Sequence, residues 1–187
     1  MTATTSITAS VNFEVSMDFG TISVRKDFRH EECLSSWQAV DGKSFHEFSS
    51  YVTDENFGNP TTILSPGDKM QVRAYRVVMK AGIMSANVLP SECLAFLESQ
   101  PHAVFPVAQG LRVLFQERRN NMPAEKWYVA LDAKERLGKN RVGALCFPAL
   151  TVFRGIPRYR VGVYDFNEPL SPVFEFLSFT NKSRGRK

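Results

Sequence analysis

Apolar and polar side chains alternate strictly in the stretch VNFEVSMDF, residues 11–19. Successive side chains of a β-strand point to opposite faces, so this alternation predicts a strand with one buried face. Gly20 follows, and residues 21–24 again favour a strand. Because glycine accepts backbone conformations that other residues avoid, we expect a hairpin or a bend at Gly20.

A second strand is predicted directly after the sequence SPGD, residues 65–68. Proline sets φ for the first central position of a β-turn, and glycine accepts a positive φ at the second. Apolar residues then alternate with polar ones from Met70 to Ala74, and β-prone residues continue to Val78. The pattern therefore predicts a turn followed by a long strand.

Two helices are predicted in the middle of the chain. Pro90 suits the first position of a helix, where its missing N–H costs nothing, and this helix is expected to end near Pro101. The second helix spans about residues 109–120 and has two distinct faces. Its apolar face carries Leu111, Leu114 and Phe115, and its opposite, polar face carries Arg112, Gln116 and Arg119.

Strands are predicted again toward the C-terminus, at residues 127–131, 144–153, 159–164 and 173–179. Strands at both ends and helices in the middle indicate an α+β fold with a mainly antiparallel sheet and two short helices packed on it. The expected organisation is a single globular domain, residues 1–180. It comprises a less regular part, 1–60, with short strand or helix pieces, and a core, 61–180; a basic tail, 181–187, follows.

Composition agrees with a globular chain. Of the 187 residues 43% are hydrophobic and 22% charged, and 15 are phenylalanine, enough large side chains to fill a core and to serve an interface. The longest uncharged stretches are too short to span a bilayer, and we see no secretory signal. Three widely spaced cysteines favour buried, reduced thiols, so we expect a cytoplasmic location, or one inside a phage or virus particle.

The formal net charge of +4 is located in one place. The last six residues contribute four cations and no acid, which leaves 19 basic and 19 acidic residues before them. The protein is therefore predicted to be an electrically balanced body with a cationic end. The four cations are Lys182, Arg184, Arg186 and Lys187.

Five stretches form a further pattern: PGDK at 66–69, SECLAFL at 91–97, AQG at 108–110, MPAEKWY at 122–128 and DAKERL at 132–137. Together they resemble a family of small uncharacterised bacterial proteins over about residues 61–150. The chain departs from that family's pattern at Ala124 and Glu125, where the family has Lys-Gly. The resemblance implies a shared folded core and carries over no catalytic residue.

Catalytic and metal-binding signals are weak, and we assign no catalytic residue, metal or cofactor. His30 and Cys33 have the spacing of two ligands on one helical turn, but no second pair follows, so a surface histidine and a buried cysteine are expected. Gly110 before a helix is interpreted as a tight helix entry and not as a phosphate site. The carboxylate pairs Asp132 with Glu135 and Asp165 with Glu168 are interpreted as solvated turn residues.

Basic residues give the more informative signal. Arg154, Arg158 and Arg160 flank a predicted hairpin, and Phe153 and Tyr159 lie among them, which would allow base stacking beside phosphate contacts. With the four cations of the basic tail they form the predicted nucleic-acid-binding set. A further cluster is formed by Arg136, Lys139 and Arg141.

These observations favour a non-enzymatic binding or assembly protein, related to a phage, a virus or a mobile element. Its body would pack against copies of itself or partner proteins, while the basic tail reaches nucleic acid or a ribonucleoprotein; no membrane partner is expected. One alternative is a small-molecule enzyme whose site is assembled from His102, Asp132 and Arg160. Another is an inhibitor that binds a host protein.

Overall fold

The computed structural model describes residues 12–78, 88–153 and 158–181. In these residues nine strands form one sheet, in the order β1-β3-β9-β5-β7-β8-β2, with β4 beside β9 and β6 beside β7. Strands from both the first 60 residues and the remainder belong to it. The strands are β1 (Asn12–Ser23), β2 (Phe45–Phe48), β3 (Lys69–Val78), β4 (Ala103–Val104), β5 (Trp127–Val129), β6 (Gly138–Lys139), β7 (Leu145–Val152), β8 (Tyr159–Asp165) and β9 (Phe174–Asn181).

Helices cover both faces of the sheet. One core lies between the sheet and α1 and α4, and the other lies between the opposite face and α3. On the α3 side, the ring of Phe96 packs against Tyr75 at 5.0 Å and against Phe176 at 5.9 Å between centroids. The helices of the described residues are α1 (Cys33–Asp41), α2 (Asp54–Phe57), α3 (Pro90–Glu98) and α4 (Val107–Arg118). None of them is long and apolar enough to cross a membrane.

The mixture of helices and strands agrees with the predicted fold class, but two details of that prediction are wrong. The sheet is mixed and not mainly antiparallel, because β2 pairs with β8 and β5 pairs with β9 in parallel. The described ranges contain four helices where two were expected. The additional helices, α1 and α2, lie in the segment between residues 28 and 60. No sustained period was visible there because α1 buries three apolar side chains and α2 only one.

β1 does not turn at Gly20. It continues through Gly20 as one strand of 12 residues, antiparallel to β3, with irregularities between Val15 and Met17 and between Asp18 and Gly20. Each such bulge adds a residue to one strand and shifts which side chains point inward. Val15 precedes both irregularities and is 49% exposed on this edge strand, although the strict alternation placed it with the buried residues. Gly20 does adopt a backbone conformation that other residues avoid, with a φ of +74°, but at an irregularity within the strand and not at a hairpin.

The turn before β3 is confirmed. The amide of Asp68 donates to the carbonyl oxygen of Ser65 at 3.1 Å, and Gly67 has a φ of +89°. The strands predicted near residues 127–131, 144–153, 159–164 and 173–179 are confirmed as β5, β7, β8 and β9. The helix predicted after Pro90 is confirmed as α3, whose first turn is closed by a hydrogen bond from Leu89 N to the Glu92 carboxylate at 2.8 Å.

α4 is confirmed as a helix, but its predicted polar face is solvated only toward its C-terminal end, where Gln116 is half-buried and Arg119 is exposed. Every residue from Val107 to Phe115 is buried, including Arg112. The guanidinium of Arg112 donates to the carbonyl oxygen of Cys33 and to Ser36 Oγ, both in α1. Because α1 was not predicted, nothing in the sequence indicated that a second helix would cover this face.

Candidate functional site

Of the predicted nucleic-acid-binding residues, only Arg158 and Arg160 belong to the described part of the chain. Arg154 and the four cations of the basic tail lie outside the described residues. Arg158 is exposed and immediately precedes β8, while Arg160 lies within that strand.

Arg160 already has a carboxylate partner. Its Nε lies 2.7 Å from Glu47 Oε2, and its Nη2 donates to Glu47 Oε1 at 3.1 Å. The guanidinium carbon lies 5.6 Å from the ring centroid of Trp127, so the group also packs on an aromatic face. Glu47 and Arg160 are opposite each other in the β2–β8 ladder, which fixes the pair. The charge of Arg160 is therefore balanced where the sequence suggested a phosphate contact.

The aromatic residues predicted to stack on bases are engaged elsewhere. Tyr159 packs edge-on against Phe115 of α4 at 4.7 Å between centroids, and its hydroxyl donates to the carbonyl oxygen of Arg119 at 2.8 Å. Phe153 packs edge-on against His46 at 5.8 Å. The contacts of Tyr159 hold β8 against the helical layer, and that of Phe153 joins the end of β7 to β2.

A different aromatic group lies beside Arg160 on the sheet. The ring of Tyr164 packs edge-on against Trp127 at 5.1 Å and against Phe174 at 4.7 Å between centroids. All three side chains are only partly buried, at the rim of the core on the α3 side. We call Trp127, Tyr164 and Phe174, together with Arg160 and Glu47, the aromatic surface.

Strand register brings these residues together. Trp127 is paired with Phe174 in β9 and with Thr151 in β7, and Thr151 is paired with Arg160 in β8. Residues paired across strands project from the same face, so the side chains form one row. Gly162 lies between the row and Tyr164, and a Cβ there would contact the rings of Trp127 and Tyr164 at 3.8 Å. The parallel pairing of β5 with β9 creates this row, and no local sequence signal indicates it.

A buried carboxylate lies on the opposite face of the same strands. Glu175 in β9 accepts a hydrogen bond from Ser16 Oγ at 2.8 Å and lies 3.2 Å from Lys126 Nζ. Its strand partner is Tyr128, whose buried hydroxyl has no hydrogen-bond partner among the described residues. Burial, with a smaller contribution from the Glu175 charge, raises the pKa of Tyr128, so the phenol stays protonated.

The end of β9 is the point from which the chain continues into the basic tail. Asn181 is paired with Met70 in β3, and its amide donates to the carbonyl oxygen of His102 at 3.0 Å. Lys69, which precedes Met70, is exposed. A nearby cleft of about 120 Å³ is lined by Gln71, Arg73, Tyr75, Gln100, Pro101, Ser178 and Thr180. The charge in this cleft is also balanced, because Arg73 Nε lies 3.1 Å from Asp18 Oδ2.

The cysteines are protonated thiols in the core. All three are free and buried. Burial raises the pKa of Cys33 and of Cys93 to about 12 and that of Cys146 to about 11. No cluster of three or more metal-ligating side chains occurs in the described ranges. His30, the predicted partner of Cys33, instead places Nε2 at 3.0 Å from the carbonyl oxygen of Gly58 and is only partly exposed.

Asp132 has a structural role that the sequence did not suggest. It was predicted to be a solvated turn residue, but it is 1% exposed. Its carboxylate accepts hydrogen bonds from Thr61 N at 2.7 Å, Thr61 Oγ1 at 2.6 Å and Ala133 N at 2.8 Å. Burial raises the pKa of Asp132, and these hydrogen bonds oppose the rise. The carboxylate thus ties the loop before β3 to the segment after β5.

The remaining predicted groups lie at the surface or in the helix entry. Asp165 accepts a hydrogen bond from Asn167 N at 2.8 Å, as expected of a turn residue, and Glu135 and Glu168 are exposed. The start of α4 is buried, and a Cβ on Gly110 would lie 2.9 Å from the Phe179 ring, so the helix entry is packed against protein. In the third basic cluster Lys139 and Arg141 are exposed and Arg136 is half-buried.

No family model, no curated protein and no solved structure matches this chain. The resemblance to small bacterial proteins over residues 61–150 therefore stays a prediction, and the function is argued from the residues themselves.

Proposed function

We propose that this protein is a non-enzymatic binding and assembly protein whose basic tail contacts nucleic acid or a ribonucleoprotein. The observation that supports this proposal most strongly is the separation of charge between the body and the tail. Four cations without an acid follow β9, a central strand that is held on both sides by β3 and β5. A cationic peptide attached to a rigid sheet provides electrostatic contact with phosphates that does not depend on sequence.

Ion pairing in the body supports this separation. Cationic side chains of the described residues repeatedly face a carboxylate within 4 Å, which reduces their attraction for phosphate. The pairs are Arg25–Glu117, Arg73–Asp18, Arg76–Glu14, Arg119–Asp41, Lys126–Glu175 and Arg160–Glu47.

The residues suggested for the enzyme alternative have structural partners. Asp132 holds Thr61, and Arg160 is paired with Glu47. The carbonyl oxygen of His102 anchors Asn181. The buried free thiols fit a reducing compartment, and we accordingly propose a cytoplasmic location or one inside an assembled particle.

The test is a fluorescence anisotropy titration with generic single-stranded RNA and duplex DNA. In the tail-neutral variant Lys182, Arg184, Arg186 and Lys187 are all replaced by Gln. In the matched control Arg29, Lys43, Lys139 and Arg141, which are exposed, are all replaced by Gln, so both variants lose four charges.

We expect the tail-neutral variant to lose most of the affinity and the control to retain most of it, because the control residues belong to the body, in which 19 acidic residues balance 19 basic ones. Equal affinities of the two variants would disprove the role of the tail. Binding by four cations is weak, so assembly into a multivalent particle, as in a phage or virus, would be needed for tight contact.

A further inference from the structure

We infer that the aromatic surface is the contact through which two copies of this chain associate about a two-fold axis. The inference rests on the assembly part of the proposed function and names the surface responsible for it. The juxtaposition of three half-buried aromatic rings with one exposed cation and one exposed anion is the observation that carries it.

The composition of the surface is that of a protein interface. Trp, Tyr, Phe and Arg are enriched at the centres of such contacts, because an aromatic ring buries a large area with few rotatable bonds and a guanidinium stacks on aromatic faces. Trp127, Tyr164 and Phe174 supply the rings. Val173, whose carbonyl oxygen accepts from Trp127 N at 3.0 Å, extends the apolar area and is 44% exposed.

The charges of the surface favour a second copy over nucleic acid. The side chain of Arg160 is 38% exposed and that of Glu47 is 51% exposed. Together they carry no net charge, and Glu47 would repel a phosphate placed against the guanidinium. A surface with one charge of each sign is complementary to itself, because a two-fold axis brings Arg160 of each copy to Glu47 of the other.

The exchange of ion pairs costs little. An exposed pair within one chain contributes roughly 0–1 kcal/mol, so replacing the two pairs within the two copies by two pairs between them leaves the electrostatic energy nearly unchanged. Burial of the aromatic rings then drives association. The rings are held edge-on by one another and lie on paired strands, so little conformational freedom is lost on contact.

The test uses the full chain and two charge variants. In Arg160→Glu the surface carries two negative charges, and in Glu47→Arg it carries two positive charges. Like charges then oppose each other across the axis, so each variant alone should dissociate at least about tenfold more readily than the unmodified protein in sedimentation velocity. An equimolar mixture of the two should form a heterodimer, since opposite charges meet again.

Matched controls come from the other side of the sheet. Arg76 and Glu14 form an exposed pair between β1 and β3, with side chains that are 55% and 54% exposed. Arg76→Glu and Glu14→Arg should leave association unchanged. Val173→Lys, which adds a charge at an already exposed position, should weaken association without affecting the core, and near-ultraviolet circular dichroism verifies that each variant is folded.

The outcomes separate this inference from the role of the tail. A chain that is monomeric at its highest soluble concentration, or variants and a mixture that associate like the unmodified protein, would overturn the inference. Loss of RNA affinity in Arg160→Glu, measured at concentrations at which both it and the unmodified protein are monomeric, would also overturn it, by assigning the surface to nucleic acid. If the tail-neutral variant still associates, the inference holds even where RNA binding by the tail fails.

Discussion

The ammonium group of Lys126 lies 3.2 Å from the carboxylate of Glu175, a side chain that is only 4% exposed. This pair closes one end of the core beneath α1 and α4, with Ser16 supplying a second hydrogen bond to the carboxylate. The Glu175 carboxylate in β9 therefore depends on Ser16 in β1 and on Lys126 just before β5. Both contacts require that β9 lies between β3 and β5, with β1 beside β3.

Lys126→Met is expected to lower the free energy of unfolding by about 1–3 kcal/mol, because it leaves a buried carboxylate with a single hydrogen-bond donor. Urea denaturation measures the change. The control is Lys43→Met, at an exposed position, which should change the stability little. An equal effect of the two substitutions would show that the pair does not stabilise the fold.

Arg112→Met is expected to destabilise the protein by about 2–3 kcal/mol, because charged hydrogen bonds between α4 and α1 are lost in the core. The residue is 8% exposed and donates to Ser36 Oγ at 2.7 Å. Arg29→Met, at an exposed site, is the control for the change of side chain. Unchanged thermal unfolding of Arg112→Met would contradict the contact between the helices.

Gly110→Ala is expected to lower stability although alanine favours helices. A Cβ there would lie 2.6 Å from Pro106 Cγ and 2.9 Å from Phe179 Cζ. Overpacking costs about 1–3 kcal/mol, which exceeds the helix propensity gain of about 1 kcal/mol. Phe179→Leu in the same chain should cost less than it does alone, and strictly additive effects in this double-mutant cycle would argue against the close approach.

The thiols are expected to be unreactive toward iodoacetamide in the folded protein and to be modified only at the rate of unfolding. Burial raises the pKa of Cys146 to about 11, so the folded state retains the proton when the unfolded chain has lost it. A thiol whose pKa is higher in the folded protein than in the unfolded chain favours the folded state fully at a pH below the pKa in the unfolded chain. This contribution to stability is lost as the pH rises from about 9, the pKa in the unfolded chain, through the pKa in the folded protein.

Mass spectrometry of partly modified samples, with and without denaturant, measures the rate. The replacement Cys146→Ala should reduce the loss of stability between neutral and alkaline pH. Rapid modification of all three thiols under native conditions would contradict the burial.

The sequence pattern predicted the longer strands, but strict alternation of burial holds only in part of them. The first part of β3 alternates, whereas β7 and β9 are buried at six and five consecutive positions because helices cover both faces of the sheet. Partners in the sheet were not predictable in this way. The row formed by Trp127, Phe174 and Arg160 exists because distant segments meet in register, and single-sequence periodicity carries no information on which segments meet.

The prediction of the helical layer was incomplete for a related reason. α1 buries Cys33, Leu34 and Trp37, too few apolar positions to establish a period in nine residues. Without α1, the arginine at position 112 was assigned to the polar face of α4, where it would be solvated. A buried arginine between two helices is evident only when both helices are known.

The salt dependence of nucleic-acid affinity tests the central claim most directly, because it counts the phosphates that the protein neutralises. For the four cations of the basic tail, the slope of log K against log salt concentration should be about −2.8 on single strands and about −3.6 on duplex DNA. The tail-neutral variant should give a slope near zero. A slope that is the same with and without the four cations would contradict the account.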